Sequence, residues 1–344
     1  MRAVIRLFFV GISGTIPVGD WMNNSGKAWL MAFVMGIVVP GFVFFVSEQF
    51  VSRVERVSSM EATEPAAEST RQDSDVTVLM NGAQVELDMQ TYLTGVLLAE
   101  MPVDFSEEAL KAQAVVSRTY ALKRNTVGNK HPQGAVCTES SCCQAYRSAE
   151  DFLAKGGTEG LLQKVSKAVA CTDNQVLTYR GDLIEATYFS CSGGRTEDAL
   201  AVWGTDIPYL QSVESPGEES ATYFVDTVEF TPTAFSSLLG ISLTGTSSKW
   251  LGSVTYTDGG GVATMEIGGK VFSGTQIRQK LGLRSTAFSM YAAEDKIHIS
   301  TRGFGHRVGM SQYGAEAMAV LGSDYRKILY HYYPGTQLTA YTHN

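Results

Sequence analysis

An uncharged run, Ala28–Ser47 (AWLMAFVMGIVVPGFVFFVS), constrains this chain more than any other feature. As a helix, its 20 residues are long enough to cross a hydrocarbon layer of roughly 30 Å. Trp29 suits the membrane interface, and Pro40 is tolerated in a spanning helix. The rival reading is a cleaved leader, which calls for an apolar core of about 7–15 residues and a small-residue cleavage site. No clean site follows. Charge does not orient the span, because Arg2, Arg6 and Lys27 precede it while Arg53 and Arg56 follow it. The chain therefore reads as a short N-terminal piece (1–27), a membrane anchor (28–47), a polar linker rich in Glu, Ser, Thr and Ala (48–75) and a folded region (76–340).

Within the folded region the signals are local. Asn81-Gly82 between Val76–Met80 and Ala83–Asp88 predicts a tight hairpin, since a primed turn needs positive φ at both positions. Gln90–Ala99 reads as an apolar helix that stops before Met101-Pro102. Ser106 is placed to cap a second helix reaching about Arg124, with Glu107 and Glu108 in its first turn and Lys123 and Arg124 in its last. Glu159–Ala170 reads as a helix, and Val176–Tyr179 and Leu183–Ser190 as a hairpin around Arg180-Gly181-Asp182. Strands are expected over Val254–Thr257, Val262–Ile267 and Lys296–Thr301. Helices are expected near Thr275–Leu281, Gln312–Leu321 and Tyr325–Tyr332. Separate runs of strands and helices with local hairpins predict an α+β fold, antiparallel hairpins with packed helices forming a cleft. The net charge of -8, without any basic block, argues against nucleic acid as a partner.

Two places carry chemistry. Glu100 ends an apolar helix in LLAEMP, where desolvation raises a carboxyl pKa and the helix C-terminus adds to it. The dipole contributes only about 0.3–1 kcal/mol, so a large shift must come from burial. A carboxyl kept protonated near neutrality is a candidate general acid. The plain alternative is an ordinary ion pair with Lys111 or Arg118. The second place is the cluster of His131, Cys137, Cys142 and Cys143. Thiolate and imidazole suit Zn²⁺, and a Cys137–Cys143 disulfide is the competing reading. Cys171 and Cys191 read as small buried hydrophobes.

Three segments in order, Gly95–Arg124 (GVLLAEMPVDFSEEALKAQAVVSRTYALKR), Tyr188–Glu197 (YFSCSGGRTE) and the GFGHRVGMSQYG run from Gly303, resemble the stage II sporulation protein D family. The resemblance extends from about Val76 to Tyr333. It implies a lytic transglycosylase that cleaves the bond between N-acetylmuramic acid and N-acetylglucosamine in peptide-free (denuded) peptidoglycan strands, giving 1,6-anhydro products during sporulation engulfment. Glu100 matches the catalytic position of the family's AEMP motif. One carboxyl suffices there, because the muramic 6-hydroxyl is the nucleophile. Tyr188, Ser190, Ser192 and Gly193, then His306, Ser311, Gln312 and Tyr313, fall in the other two motifs and are the expected substrate contacts; turn chemistry and a structural histidine are the alternatives. By the same resemblance His131, Cys137 and Cys143 are the expected ligands of a structural zinc.

The resemblance also implies an amidase partner that strips the stem peptides. A catalytic domain outside the mother-cell membrane, held by the N-terminal helix, agrees with it. Related amidase enhancers support a second reading, a non-catalytic wall-binding activator of an amidase. The chain departs from the family pattern at Arg307, where glycine is usual, and at Cys191, where a small polar residue is usual. A required positive φ at 307 is costly for arginine.

Overall fold

The computed structural model describes residues 75–126, 130–131, 136–172, 174–293 and 295–342. The expected membrane anchor (28–47) lies outside the described residues. Among those described, no helix is long and apolar enough to cross a membrane.

β1 (Asp75–Met80) and β2 (Ala83–Asp88) form the expected antiparallel hairpin, with Met80 opposite Ala83. Asn81 and Gly82 turn it with φ of 50° and 80°, the primed geometry that matches strand twist. Asp88 then caps α1 (Met89–Glu100), its side chain accepting from the Thr91 N–H and satisfying an otherwise unpaired first-turn donor. Tyr92, Leu93, Val96 and Leu97 of α1 are fully buried, as expected of a helix apolar all round. Met101 leaves helical geometry at ψ 145°, because the residue before proline avoids the α region. Glu100 is thereby the last residue of a core helix.

α2 (Glu107–Thr126) packs against α1. The expected Ser106 cap forms differently: its N–H and hydroxyl both donate to Glu316, at 2.7 and 3.0 Å. β3 (Val136–Cys137) pairs in parallel with β1. α3 (Ala149–Ala154) and α4 (Glu159–Ala170) follow, capped by Ser148 and Thr158. β4 (Gln175–Tyr179) and β5 (Asp182–Leu183) form a short hairpin. The single strand expected over 183–190 divides, and Tyr188–Phe189 becomes β6, a separate strand. α5 (Ala199–Trp203) comes next.

Residues 225–302 build a second core around Phe235, Ile267, Ile277 and Ile297. Its elements are β7 (Val225–Phe230), α6 (Pro232–Leu239), β8 (Leu251–Tyr256), β9 (Val262–Ile267), β10 (Lys270–Ser273), α7 (Gly274–Leu281), β11 (Phe288–Ala293) and β12 (Lys296–Arg302). They form two three-stranded antiparallel sheets, β10-β9-β8 and β11-β12-β7.

The chain then returns to the first core through Gly303–Gly309. β13 (Met310–Ser311) lies parallel to β6, α8 (Gln312–Val320) and α9 (Tyr325–Tyr332) follow, and β14 (Gln337–Ala340) pairs with β4. The fold is α+β, as expected, but two short parallel pairings accompany the hairpins. The β6–β13 pair joins two of the motifs read in the sequence, and it stands beside the end of α1.

Candidate active site

Glu100 is half-buried at the end of α1. One carboxyl oxygen accepts from the Ala145 N–H at 2.5 Å, and the Tyr188 hydroxyl donates to the same carboxyl. Both bonds favour the ionised form. Burial outweighs them and raises the Glu100 pKa above the usual carboxylate range. Its partners are neutral groups. Lys111 pairs with Glu108 at 2.7 Å, and Arg118 donates to Thr172 and to the Gln175 carbonyl. The carboxyl is held by a relay: Tyr92 donates to the Gln144 carbonyl oxygen (3.1 Å), and the Gln144 amide donates to Tyr188 (3.2 Å). Gln312 pins the helix end, its amide donating to the Glu100 carbonyl at 3.0 Å.

Glu100 lines a groove of about 920 Å³ together with Tyr188, Ser190, His306 and Gln312, so the candidate acid and four of the expected substrate contacts meet there. A smaller hollow of about 280 Å³ holds Tyr313 and shares Glu100, Ser190, Phe304 and Gln312 with the first. Glu100 thus lines both hollows. The other carboxylate in the larger hollow, Glu185, is held by Arg124 at 2.6 Å and Lys123 at 3.4 Å.

Ser192, Gly193 and Ser311, also expected as substrate contacts, line neither hollow. Ser192 and Ser311 are fully buried. One oxygen of the buried Glu218 accepts from the Ser192 N–H and hydroxyl and from the Gly193 N–H, at 2.7–2.9 Å. Its other oxygen accepts from Ser215 at 2.7 Å and from Ser311. The Glu218 carboxyl therefore ties the 192–194 turn to the start of α8. Gly193 also has φ 77°, and a Cβ there would meet the Arg302 backbone at 2.9 Å, so glycine is required by the turn and its packing. Cys191 is buried beside Glu218, as expected, and its thiol is pushed up to about 12 by burial and that carboxylate. Cys171 is exposed at the end of α4, contrary to the buried role read for it.

His306 is neutral by position. Burial and nearby Arg278 push its pKa down to about 4. Nδ1 accepts from the Val308 N–H at 3.1 Å. The ring also bonds the Tyr188 backbone and packs edge-on against Phe189 at 5.7 Å. It supports the groove wall rather than supplying a proton.

Arg307 does adopt a positive φ, 66°. Its buried guanidinium donates to the carbonyls of Ser192 (2.8 Å), Arg195 (2.7 Å) and Gly259 (2.7 Å) and pairs with Glu197 at 3.1 Å. These bonds offset a left-handed backbone that costs about 1–2 kcal/mol.

His131, Cys137, Cys142 and Cys143 converge, with ligand atoms all within 4.8 Å of one another. The cysteines are free thiols, so the disulfide reading does not hold. Three soft sulfurs and an imidazole this close form a four-donor set suited to a metal ion. Cys142 and Cys143 both lie near His131 Nε2, at 3.4 and 3.5 Å. Both line the groove, which puts the cluster in its wall.

Residues 81–179 match the family model described as stage II sporulation protein (SpoIID). The chain is 38% identical over 315 residues to the stage II sporulation protein D of Bacillus subtilis (strain 168), covering 88% of this chain and 90% of that protein. It is equally identical to the stage II sporulation protein D of Bacillus amyloliquefaciens over 282 residues, with 79% and 81% covered. It is 30% identical to the amidase enhancer of Bacillus subtilis, over 72% of this chain and 40% of that protein. The coverage of whole chains, and the meeting of the three motifs around one carboxyl, place this chain in the stage II sporulation protein D family.

Proposed function

We propose that this protein is a peptidoglycan lytic transglycosylase acting on denuded glycan strands during sporulation engulfment. The observation that carries the reading is the Glu100 carboxyl, raised in pKa by burial and lining both hollows. Protonated, Glu100 gives its proton to the glycosidic oxygen as the bond to muramic C1 breaks. The resulting carboxylate takes the proton of the muramic 6-hydroxyl as that oxygen bonds C1, which closes the anhydro ring. No water is consumed, and Glu100 ends protonated. A hydrolase of the usual kinds needs a second working carboxylate, whereas Glu185 in this groove is held in ion pairs.

Zn²⁺ fits His131, Cys137, Cys142 and Cys143. Four protein ligands close the site and give it a structural role in the groove wall. Residues 28–47 anchor the protein in the mother-cell membrane, with the catalytic part outside and an amidase as partner. The similarity to an amidase enhancer favours one alternative, a non-catalytic activator. Product analysis separates the two. Incubated with peptide-free glycan, the wild type yields anhydro-ended fragments, and Glu100→Ala loses at least about 10²-fold in rate, the low end of general acid–base effects. Unchanged strands with the wild type, or normal turnover by a folded Glu100→Ala, overturn the assignment.

A further inference from the structure

α5 is stopped at Trp203 by Gly204, whose φ of 75° closes the helix. This holds the indole in the wall of the larger hollow, with 44% of its surface exposed. A tryptophan left so open to water is unusual where burial is the norm for large aromatics. The ring is nevertheless backed. His306 lies 5.5 Å away, tilted by 55°, and Phe189 supports His306 in turn. His306 is fixed by the Val308 N–H and bonds the backbone of Tyr188, the residue whose hydroxyl reaches Glu100.

A rigid aromatic face, open to the groove and tied through one histidine to the reacting carboxyl's partner, suits a particular ligand chemistry. A pyranose presents a patch of C–H groups on its face and hydroxyl and acetamido groups on its rim. The face takes an indole, and the rim takes groups such as Ser190, Ser141 and Gln312 along the same wall. In the other hollow, Tyr313 packs edge-on against Phe105 at 5.1 Å. Tyr223 there already carries the Arg284 guanidinium at 3.9 Å over its face and the edge of Phe304 at 5.2 Å.

We propose that Trp203 is a stacking platform for an N-acetylhexosamine ring of the glycan, in the larger hollow beside Glu100. The proposal rests on the glycan-cleaving reading above, and its test keeps the two apart. In the full chain carrying Glu100→Gln, binding of oligosaccharides from amidase-treated peptidoglycan is measured by calorimetry. Adding Trp203→Ala weakens the dissociation constant about tenfold, or about 1.4 kcal/mol, while Trp203→Phe stays within about threefold of the parent. Saturating oligosaccharide shifts the parent's indole emission to the blue, and Trp203→Phe removes that shift. In the cleaving enzyme, the loss in Trp203→Ala falls on KM rather than kcat. Equal affinity of Trp203→Ala and its parent, or emission unmoved by the oligosaccharide, overturns the platform. Trp203-dependent binding by a chain that releases no anhydro fragments upholds the platform and sinks only the catalytic reading.

Discussion

Glu100 takes its character from its neighbours. Leu97, Leu98 and Met101 are buried beside it, and burial raises its pKa against two opposing hydrogen bonds. The sequence showed this because the apolar residues are adjacent in the chain. Tyr188 came to notice only through its motif, and its bond to Glu100 was hidden because the pairing of β6 with β13, which sets Tyr188 in place, is non-local. The Glu218 cradle was equally hidden. A Ser or Gly in a motif shows the type of contact it makes, not its partner, and Glu218 sits in an unremarked PGEES run. Tyr188→Phe tests the local electrostatics. The lost hydroxyl favoured the carboxylate, so its removal raises the Glu100 pKa further. A general acid works while protonated, so the descending limb of the rate profile moves to higher pH in Tyr188→Phe. The maximal rate falls by up to about tenfold, the scale of one hydrogen bond. A limb that stays put or moves to lower pH would separate Tyr188 from the carboxyl.

At the scale of elements, local chemistry was legible and tertiary pairing was not. The Asn81-Gly82 turn and the α4 helix fell where expected. α6 was missed although its signals were present: Thr231 caps it, Pro232 opens it, and Gly240 closes it with φ 69°. β7 and β14 were missed for another reason, since their partners, β12 and β4, are remote in sequence. Among the described residues between α2 and α3, the one strand is the two-residue β3. The same segment carries Ala145, whose N–H holds Glu100. Its order is expected to depend on a metal at the four converging ligands. Purified protein is expected to carry about one zinc per chain, measured by elemental analysis. Chelation lowers the thermal midpoint, because a metal bound only to the folded state stabilises it. Cys142→Ser weakens zinc affinity at least about tenfold in a chelator competition. Affinity equal to that of the parent would return the site to the three ligands first read in the sequence.

The molecule as a whole has two hydrophobic cores, and Arg307 is where they are riveted. Its guanidinium reaches Ser192 and Arg195 on one side and Gly259 on the other. Glu197 follows the same course, accepting from Arg307, Thr257 (2.8 Å) and the Gly261 N–H (2.9 Å). Replacing Arg307 with the glycine usual in the family relieves the left-handed backbone but strands a fully buried carboxylate. Breaking a buried pair costs about 3–5 kcal/mol, more than the roughly 1–2 kcal/mol of backbone strain released, so Arg307→Gly is destabilised in urea unfolding. Amide exchange should quicken at the 257–261 turn between β8 and β9, which loses its anchor. Burial already raises the Glu197 pKa, and Arg307 is the main influence opposing it. Without Arg307 the folded-state pKa climbs further. A carboxyl with a raised folded pKa is least costly when protonated, so the deficit of Arg307→Gly shrinks as pH falls and grows as pH rises through that pKa. Adding Glu197→Gln removes the charge while leaving an acceptor for Thr257 and Gly261. The double variant therefore recovers much of the loss at neutral pH, and its deficit is flat across the range where the single variant's is steep. A single variant whose deficit does not vary with pH would mean that shape rather than charge joins the two cores.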